Sequence, residues 1–159
     1  MRIGTGYDSH RFEPGRPLIL AGVSVPYERG LAGHSDADAI AHAVTDALLG
    51  AAALGDIGTH FPPSDEKWRG ANSLELLAHA YDLLERQNYQ AVNIDVTIVC
   101  EQPKLGPYVP AMRETLARVL GIGPHAVSIK AKTNEGMGWI GCGEGLAVMA
   151  VALIDRIRP

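Results

Sequence analysis

Three side chains in the first third of the chain, Asp8, His10 and His42, are of types that bind divalent metal ions. In an extended segment, residues two apart project to the same face, so Asp8 and His10 can converge on one point. His42 falls within a mostly apolar helical pattern and can supply a third ligand. Two imidazoles and one carboxylate suit a divalent metal that keeps an open position. Zinc fits this ligand set best, although iron or manganese could also bind it.

The helical residues also allow a purely structural interpretation. Asp38, His42 and Asp46 recur at intervals of four, so they share one side of the helix. In this interpretation Asp38 caps the helix, His42 is a hydrogen-bonded core histidine, and Asp46 pairs with a lysine or arginine. The nearby pair of Asp8 and His10 favours the metal site instead.

A buried helix must position His42. The segment from His34 to Gly58 predicts this helix, with a start near Asp36, because Ser35 and Asp38 have the spacing of a capping box. The tight turn predicted after the helix, at residues 55–58, presents a carboxylate and exposed backbone N–H groups.

A strand must position the other two ligands. Residues 2 to 12 alternate and contain Gly4 and Gly6, which predicts a strand that approaches another element closely. The further predicted elements are two short strands over 16–27, a loop over 60–70, a helix from Asn72 or Ser73 to about Gln87, a strand over 91–100, a helix from about Pro107 to Leu120, and strands over 127–133 and 145–154. The residues of the 91–100 strand predicted to face inward are Val92, Ile94, Val96, Ile98 and Cys100.

The order of these elements predicts an α+β fold, with a mixed sheet and helices packed on one face. The glycines beside Trp139 and the apolar last strand indicate that the other face is buried against copies of the chain. Residues 136–141 match G-x-G-x-x-G, but they lead into a strand, which argues against a dinucleotide fold. We expect one catalytic domain over residues 1–159.

Composition narrows the possible partners and location. The 159 residues include 14 basic and 18 acidic ones, and without a basic cluster nucleic-acid binding is not expected. No targeting pattern opens the chain and no segment approaches the roughly 20 apolar residues that span a bilayer, so we expect a cytoplasmic protein without a membrane partner. Cys100 and Cys142 form no CxxC and are predicted to be free, packed thiols.

Several motifs together resemble the 2-C-methyl-D-erythritol 2,4-cyclodiphosphate synthase family, from Arg2 to about Leu153. They are Gly6-Tyr7-Asp8-Ser9-His10-Arg11-Phe12, His34-Ser35-Asp36-Ala37-Asp38 with His42 and Asp46-Ala47-Leu48-Leu49-Gly50-Ala51, Gly55-Asp56-Ile57-Gly58, Pro103-Lys104-Leu105 and Thr133-Asn134-Glu135. The resemblance implies a homotrimer with active sites between subunits, in non-mevalonate isoprenoid biosynthesis. The implied lyase reaction converts 4-diphosphocytidyl-2-C-methyl-D-erythritol 2-phosphate into the cyclic diphosphate and CMP, by attack of the 2-phosphate on the β-phosphorus.

The resemblance also implies individual roles. The implied metal ligands are Asp8, His10 and His42 for zinc and Glu135 for Mg²⁺ or Mn²⁺, and the implied catalytic residues that stabilise the transferring phosphates are His34 and Thr133. The residues implied at the methylerythritol end are Ser9, Ser35, Asp56, Gly58, Phe61 and Asp65. Those implied around the cytidine diphosphate are Cys100, Pro103, Lys104, Leu105, Ala131, Lys132, Thr133, Asn134 and Glu135. The implied substrate contacts are completed by Asp8, His10, His34, Ile57, Trp139 and Cys142.

Three positions depart from the family pattern. Trp139 and Cys142 stand where the family often has Phe and Arg, although Glu144 is kept. Relatives can bind an isoprenoid diphosphate near that arginine, and we hypothesise that this chain does not, because a thiol offers no bidentate cation. Tight binding of geranyl diphosphate in a titration would contradict this hypothesis. Pro63 replaces a frequent Asp, so the loop after Phe61 is expected to contact substrate less directly.

Two other functions fit the metal ligands. In a zinc-dependent phosphohydrolase of a nucleotide-like substrate, the open position would hold a hydroxide nucleophile. A noncatalytic, metal-stabilised oligomeric module would instead have a closed zinc site and no affinity for CDP.

Overall fold

The computed structural model describes residues 1–157, which form a five-stranded sheet and a separate hairpin. The strands are β1 (Arg2–Pro14), β2 (Leu18–Leu20), β3 (Val23–Val25), β4 (Arg29–Leu31), β5 (Tyr89–Val99), β6 (Val127–Lys132) and β7 (Gly145–Arg156). The sheet has the order β4-β1-β7-β5-β6, and β2 pairs with β3 in the hairpin. Within the sheet every pair is antiparallel except β5 with β6, which is parallel. The predicted mixed sheet is therefore confirmed.

Three helices cover one face of this sheet: α1 (Ala39–Ala52), α3 (Ser73–Arg86) and α4 (Val109–Val119). Two further helices, α2 (Ile57–His60) and α5 (Gly138–Gly141), are single turns. Helix α1 packs on β1 and β7, α3 on β5, and α4 on β6. On β5 the residues beneath the helices, Ile94, Val96 and Ile98, are fully buried. The predicted α+β layer with its helices on one face is confirmed.

Helix α1 begins later than predicted, at Ala39 and not near Asp36. Asp38 is its N-cap and is fully buried. The Asp38 carboxylate accepts the backbone N–H groups of Ala21, Gly22, Ile40 and Ala41. The predicted capping box with Ser35 is wrong, because Asp38 alone satisfies the first-turn donors. The same carboxylate fastens the β2–β3 turn to the start of the helix.

Two glycines of β1 allow α1 to lie directly on the strand. A Cβ atom at Gly4 would lie 2.1 Å from the carbonyl oxygen of Ala47, and one at Gly6 would lie 1.9 Å from that of Ala43. Non-bonded atoms do not approach so closely, so a larger side chain would push the helix away. The predicted close approach is confirmed, and it sets the spacing between the two elements that carry the metal ligands.

Two predictions about side-chain burial are wrong. Val92 is 41% exposed and does not face inward, because a β-bulge between Ala91 and Asn93 shifts the register of β5 against β7. Cys142 is exposed, whereas Cys100 is buried as predicted. Neither thiol is in a disulfide.

The predicted turn at 55–58 and the predicted loop over 60–70 contain short helical structure. Helix α2 begins after Asp56, and a 3₁₀ turn at Glu66–Trp68 begins after Asp65. Each aspartate caps its turn by accepting a backbone N–H group, which explains why these short turns form in a proline-rich segment.

The face of the sheet away from the helices is apolar at its centre. Ile3, Tyr7 and Met149 are 69%, 59% and 48% exposed there. Tyr7 pairs in register with Met149, and Ile3 with Leu153, so the apolar side chains are neighbours. A patch of this kind is typical of a protein–protein contact. Within residues 1–157, no helix has the length and hydropathy needed to span a membrane.

Candidate metal centre and substrate cavities

The three predicted metal ligands converge. Asp8 Oδ2 lies 2.9 Å from His10 Nε2 and 3.0 Å from His42 Nδ1, and the two nitrogens are 3.3 Å apart. A tetrahedral Zn²⁺ ion with bonds of about 2.0–2.1 Å separates its ligand atoms by about 3.3 Å, so the donor set fits such an ion. Among residues 1–157 these three form the only cluster of possible ligands, and no fourth His, Cys, Asp or Glu joins them.

Strand β1 and helix α1 bring the ligands together. Asp8 and His10 lie two apart in β1, and both face α1, as strand geometry predicts. His10 Nδ1 lies 2.6 Å from the carbonyl oxygen of Ala32. A carbonyl only accepts, so Nδ1 carries a hydrogen, which leaves Nε2 as the nitrogen that can bind a metal ion. His42, one turn into α1, directs Nδ1 at Asp8.

The two histidines control the charge of the carboxylate. Burial alone would raise the pKa of Asp8, but hydrogen bonds and charge from His10 and His42 hold it well below its usual range. Burial alone would lower the pKa of His10, but the Asp8 carboxylate raises it above the ordinary value. Asp8 is therefore ionised near neutral pH, which is the form that binds a metal.

A first cavity of about 270 Å³ opens beside the cluster. Its lining residues are His10, His34, Ser35, His42, Ile57, Gly58, Phe61, Pro63, Trp68 and Leu76. Most of this wall is apolar, with a few polar groups, as is typical of a site for a small organic ligand. His10 and His42 belong to both the cluster and the cavity wall, so a ligand in the cavity can reach the metal position.

The aspartates around this cavity act through backbone hydrogen bonds. Asp46 Oδ1 accepts the N–H of Ile57 at 2.7 Å, and so ties the cavity loop to α1. Burial raises the pKa of Asp46, although the hydrogen bond from Ile57 opposes the shift. The structural interpretation expected a lysine or arginine to pair with Asp46, and none does so among residues 1–157.

Asp56 and Asp65 cap their turns and do not line the first cavity, so their substrate contacts stay predictions.

A second cavity of about 370 Å³ lies at the carboxyl ends of β5 and β6. Its lining residues are Cys100, Pro103, Lys104, Leu105, Gly106, Pro107, Ala131, Lys132 and Thr133. Lys104 and Lys132 are exposed and give the cavity positive charge, which suits an anion. Burial raises the pKa of Cys100 to about 11, and its thiol donates to the carbonyl oxygen of Gln102 at 3.0 Å.

Glu135 lies outside the metal cluster. It is exposed, and its carboxylate accepts the hydroxyl of Thr133 at 2.9 Å. Glu101 holds this turn, because its carboxylate accepts the N–H groups of Asn134 at 2.8 Å and Gly136 at 3.0 Å. The first and second cavities share no lining residue, so the two histidine ligands and Thr133 line separate cavities of one chain.

A third cavity of about 250 Å³ is lined by Ser9, His10, Arg11, Trp139 and Glu144. It places two further predicted contact residues, Ser9 and Trp139, beside His10. Cys142 lines none of the three cavities, and its predicted role as a substrate contact stays a prediction.

Five lining residues of the first two cavities were not predicted as site residues. In the first cavity they are Pro63, Trp68 and Leu76, and in the second they are Gly106 and Pro107. The Trp68 ring meets Phe61 edge to face, at 5.0 Å between centroids. The sequence did contain a sign that Trp68 is buried against another residue. It is a large aromatic side chain in a proline-rich loop, and such side chains are seldom left fully exposed.

The fold and the site together define a class of protein. An α+β layer with an open site of two histidines and one carboxylate, beside a largely apolar cavity, is typical of a metal-dependent enzyme that acts on a small molecule. The chain belongs to the YgbB family, whose sequence profile matches residues 1–155.

Known relatives identify this family with cyclodiphosphate synthases. The chain is 63% identical over 154 residues to the 2-C-methyl-D-erythritol 2,4-cyclodiphosphate synthase of Symbiobacterium thermophilum, which covers 97% of this chain and 98% of that enzyme. It superposes with a TM-score of 0.89 and 40% identity on a solved 2C-methyl-D-erythritol-2,4-cyclodiphosphate synthase in the CDP-bound form, covering 97% of this chain and 100% of the other. The resemblance drawn from the motifs is confirmed.

A longer relative has the same fold in one part. The bifunctional IspDF from Campylobacter jejuni superposes with a TM-score of 0.94 and 42% identity over 98% of this chain. This chain spans only 42% of that protein. The similarity therefore concerns one portion of the bifunctional enzyme.

Proposed function

We propose that this chain converts 4-diphosphocytidyl-2-C-methyl-D-erythritol 2-phosphate into 2-C-methyl-D-erythritol 2,4-cyclodiphosphate and CMP. As a member of its family, it serves cyclodiphosphate synthesis in isoprenoid biosynthesis. In the proposed lyase reaction, an oxygen of the 2-phosphate bonds to the β-phosphorus, and the bond from that phosphorus to the CMP oxygen breaks. The observation that carries the proposal is the convergence of Asp8, His10 and His42 at the wall of the first cavity.

The proposed metal ligands are Asp8, His10 and His42, with zinc as the ion that best suits two imidazoles and a carboxylate. Bound zinc would neutralise charge on a phosphoryl oxygen. Asp8 supports this role because it stays ionised, and His10 because the Ala32 carbonyl fixes its hydrogen on Nδ1. Glu135 is the proposed ligand of Mg²⁺ or Mn²⁺, since a carboxylate oxygen suits these hard cations.

The methylerythritol end of the substrate is proposed to occupy the first cavity. Ile57 and Phe61 provide apolar contact there, and Ser35 a hydroxyl group. Asp46 holds the Ile57 backbone in place, so the cavity wall does not have to form when substrate binds. His34 also lines this cavity, and we assign it the catalytic role of stabilising charge on the transferring phosphates.

The cytidine diphosphate portion is proposed to occupy the second cavity. Lys104 and Lys132 would offset phosphate charge, and Thr133 would donate its hydroxyl to a phosphoryl oxygen. A solved relative whose name gives it as the CDP-bound form supports CDP as a ligand of this fold. Displacement at phosphorus needs little covalent chemistry from the protein, so alignment of the two phosphates supplies most of the acceleration.

We propose that the active enzyme is a homotrimer that joins the two cavities across subunits. The separation of the cavities within one chain supports this, because the substrate must reach both. The exposed apolar face around Ile3, Tyr7 and Met149 offers the contact surface. The single catalytic domain, the cytoplasmic location and the absence of nucleic-acid and membrane partners stay predictions.

The direct test follows the products with ³¹P NMR in water enriched in ¹⁸O. We expect the purified chain with Zn²⁺ and Mg²⁺ to release CMP and the cyclic diphosphate, neither of which carries solvent oxygen. Asp8→Asn should abolish turnover, whereas the same change at exposed Asp82 should leave turnover intact. An open-chain phosphate product carrying ¹⁸O would identify a phosphohydrolase and contradict the proposal.

A further inference from the structure

His42 is held on its far side by groups that the proposed metal role does not use. Its Nε2, the ring nitrogen away from Asp8, lies 2.9 Å from Ser73 Oγ. Ser73 Oγ makes a short hydrogen bond to Asp36 Oδ1, and the Ser73 N–H donates to Asp36 Oδ2 at 3.1 Å. Ser73 is the first residue of α3 and is fully buried. Asp36 and Ser73 thus form a chain of hydrogen bonds that ends on the imidazole.

The direction of each hydrogen bond follows from the groups involved. The Asp36 carboxylate accepts the N–H groups of Asp38 and Ser73 on its two oxygens, and Ser73 donates its single hydroxyl hydrogen to it as well. The Ser73 oxygen then has only lone pairs for the imidazole, so His42 must donate from Nε2. When a metal ion is bound, a neutral imidazole with its hydrogen on Nε2 presents a lone pair on Nδ1. Nδ1 is the atom that lies beside Asp8 and His10.

Ser35 completes this arrangement. Its Oγ accepts the N–H of Ala37 at 3.1 Å and lies 3.2 Å from both Ser73 Oγ and His42 Nε2. Because Ser73 donates to Asp36, the Ser35 hydroxyl can donate to the second lone pair of Ser73. Every hydroxyl hydrogen in the group then has an acceptor. A satisfied and largely buried network of this kind fixes side-chain geometry.

Backbone pairing holds the same residues in place. The Asp36 N–H donates to the Ala71 carbonyl at 3.1 Å, and the Gly70 N–H donates to the His34 carbonyl at 2.9 Å. These two bonds join the segment before α1 to the segment before α3. The backbone of Asp36 is therefore held next to the start of α3, where Ser73 lies.

We propose that Ser73 and Asp36 are positioning residues of the metal centre. Ser73 accepts the Nε2 hydrogen of His42, Asp36 accepts the hydroxyl hydrogen of Ser73, and this chain of hydrogen bonds directs the Nδ1 lone pair of His42 to the ion. This inference rests on the proposed metal role of His42. His10 is fixed in the complementary way, with Nδ1 donating to a backbone carbonyl that no substitution can remove. Loss of such an outer partner typically weakens metal affinity by about 10–100-fold.

The first test measures Zn²⁺ affinity of the full chain by competition with a chelator. Ser73→Ala and Asp36→Ala should each weaken binding by about 10–100-fold. Thr45→Val is the matched control, because it removes a fully buried hydroxyl from α1 that donates to the Ala41 carbonyl and does not contact the imidazole. Its Zn²⁺ affinity should equal that of the wild type.

The second test measures the solvent exchange of the His42 Nε2 hydrogen by NMR. If a variant fails to fold, the wild-type protein alone is enough for this test. In NMR of the Zn²⁺-loaded, ¹⁵N-histidine-labelled chain, the Hε2 proton of His42 should exchange slowly with solvent. In Ser73→Ala the Hε2 resonance should shift and exchange faster, while circular dichroism reports an unchanged fold. A role confined to packing would not move this resonance.

The outcomes separate this inference from the proposed function. Wild-type binding of Zn²⁺ together with unchanged affinity and an unchanged Hε2 resonance in both variants would overturn the positioning role and leave the metal site intact. Fast exchange of Hε2 in the Zn²⁺-loaded wild type would overturn it as well. A wild type that binds no Zn²⁺ at His42 would overturn both the proposed metal site and this inference.

Discussion

The Asp8 carboxylate and the His42 imidazole meet at 3.0 Å, although 34 positions separate them in the chain. The contact exists because α1 lies directly on β1, and this close packing depends on glycines in the strand. The metal site is therefore a property of one strand–helix interface. Changes to the ligands and changes to that interface should have different and separable effects.

Removal of one imidazole should abolish metal binding. In His42→Ala we expect the purified protein to lose zinc, measured by atomic absorption, and to release no CMP, because two remaining ligands cannot hold the ion tightly. Thr45→Val, on the same helix, should keep both properties. Full turnover by His42→Ala after exhaustive chelation would refute the assignment.

Enlargement of a β1 glycine should disturb the strand–helix interface. Gly6→Ala would place a Cβ 1.9 Å from the Ala43 carbonyl oxygen, and we expect it to lower the free energy of unfolding by about 1–3 kcal/mol. Gly50→Ala is the control, because its Cβ would have no contact closer than 3.9 Å outside the helix. There alanine should stabilise α1 by about 0.5–1 kcal/mol. Equal stability of the two variants in urea unfolding would show that the interface is not tightly packed.

Loss of the Asp46 carboxylate should weaken substrate binding without loss of metal. Asp46→Ala leaves the Ile57 N–H without its acceptor, which frees the cavity loop. We expect KM to rise on the order of tenfold, or about 1.4 kcal/mol, with normal zinc content. Asp82→Ala, at an exposed position of α3, should change neither quantity. Loss of zinc in Asp46→Ala would instead place this residue in the metal site.

The buried thiol should resist alkylation at neutral pH. Burial raises the pKa of Cys100 to about 11, so the reactive thiolate is scarce at pH 7 and accumulates only as the pH approaches 11. Iodoacetamide labelling of Cys142→Ser, followed by mass spectrometry, isolates this site. We expect little modification at pH 7 and a rate that rises steadily above about pH 9. Modification at pH 7 as fast as that of a small-molecule thiol would contradict the burial.

The metal ligands could be predicted because their spacing is tied to local geometry. Residues two apart share a strand face, and a histidine within a buried helical stripe points toward the sheet, so residue spacing alone indicates Asp8, His10 and His42. The shared side of Asp38, His42 and Asp46 was a weaker guide. Asp38 caps the helix and also binds the β2–β3 turn, which depends on tertiary contacts that spacing does not encode.

Other features depended on contacts between distant segments. The bulge that exposes Val92 arises from pairing of β5 with β7, and periodicity alone cannot place it. The capping aspartates Asp56 and Asp65 were visible in the sequence, but their proline-rich surroundings favoured a loop. Ser73 gave only the signal of a helix start. Its contact with His42 requires the packing of α3 against α1.

Every proposed step in the reaction requires an open metal site on Asp8, His10 and His42 that a substrate phosphate can reach. Crystals of the chain soaked with Zn²⁺ and CDP, with diffraction measured at the zinc absorption edge, would reveal whether this site exists. We expect an anomalous peak bonded to these three side chains, with the remaining position free of protein atoms and CDP in the second cavity. A peak elsewhere, or a fourth protein ligand closing the site, would contradict the proposed chemistry.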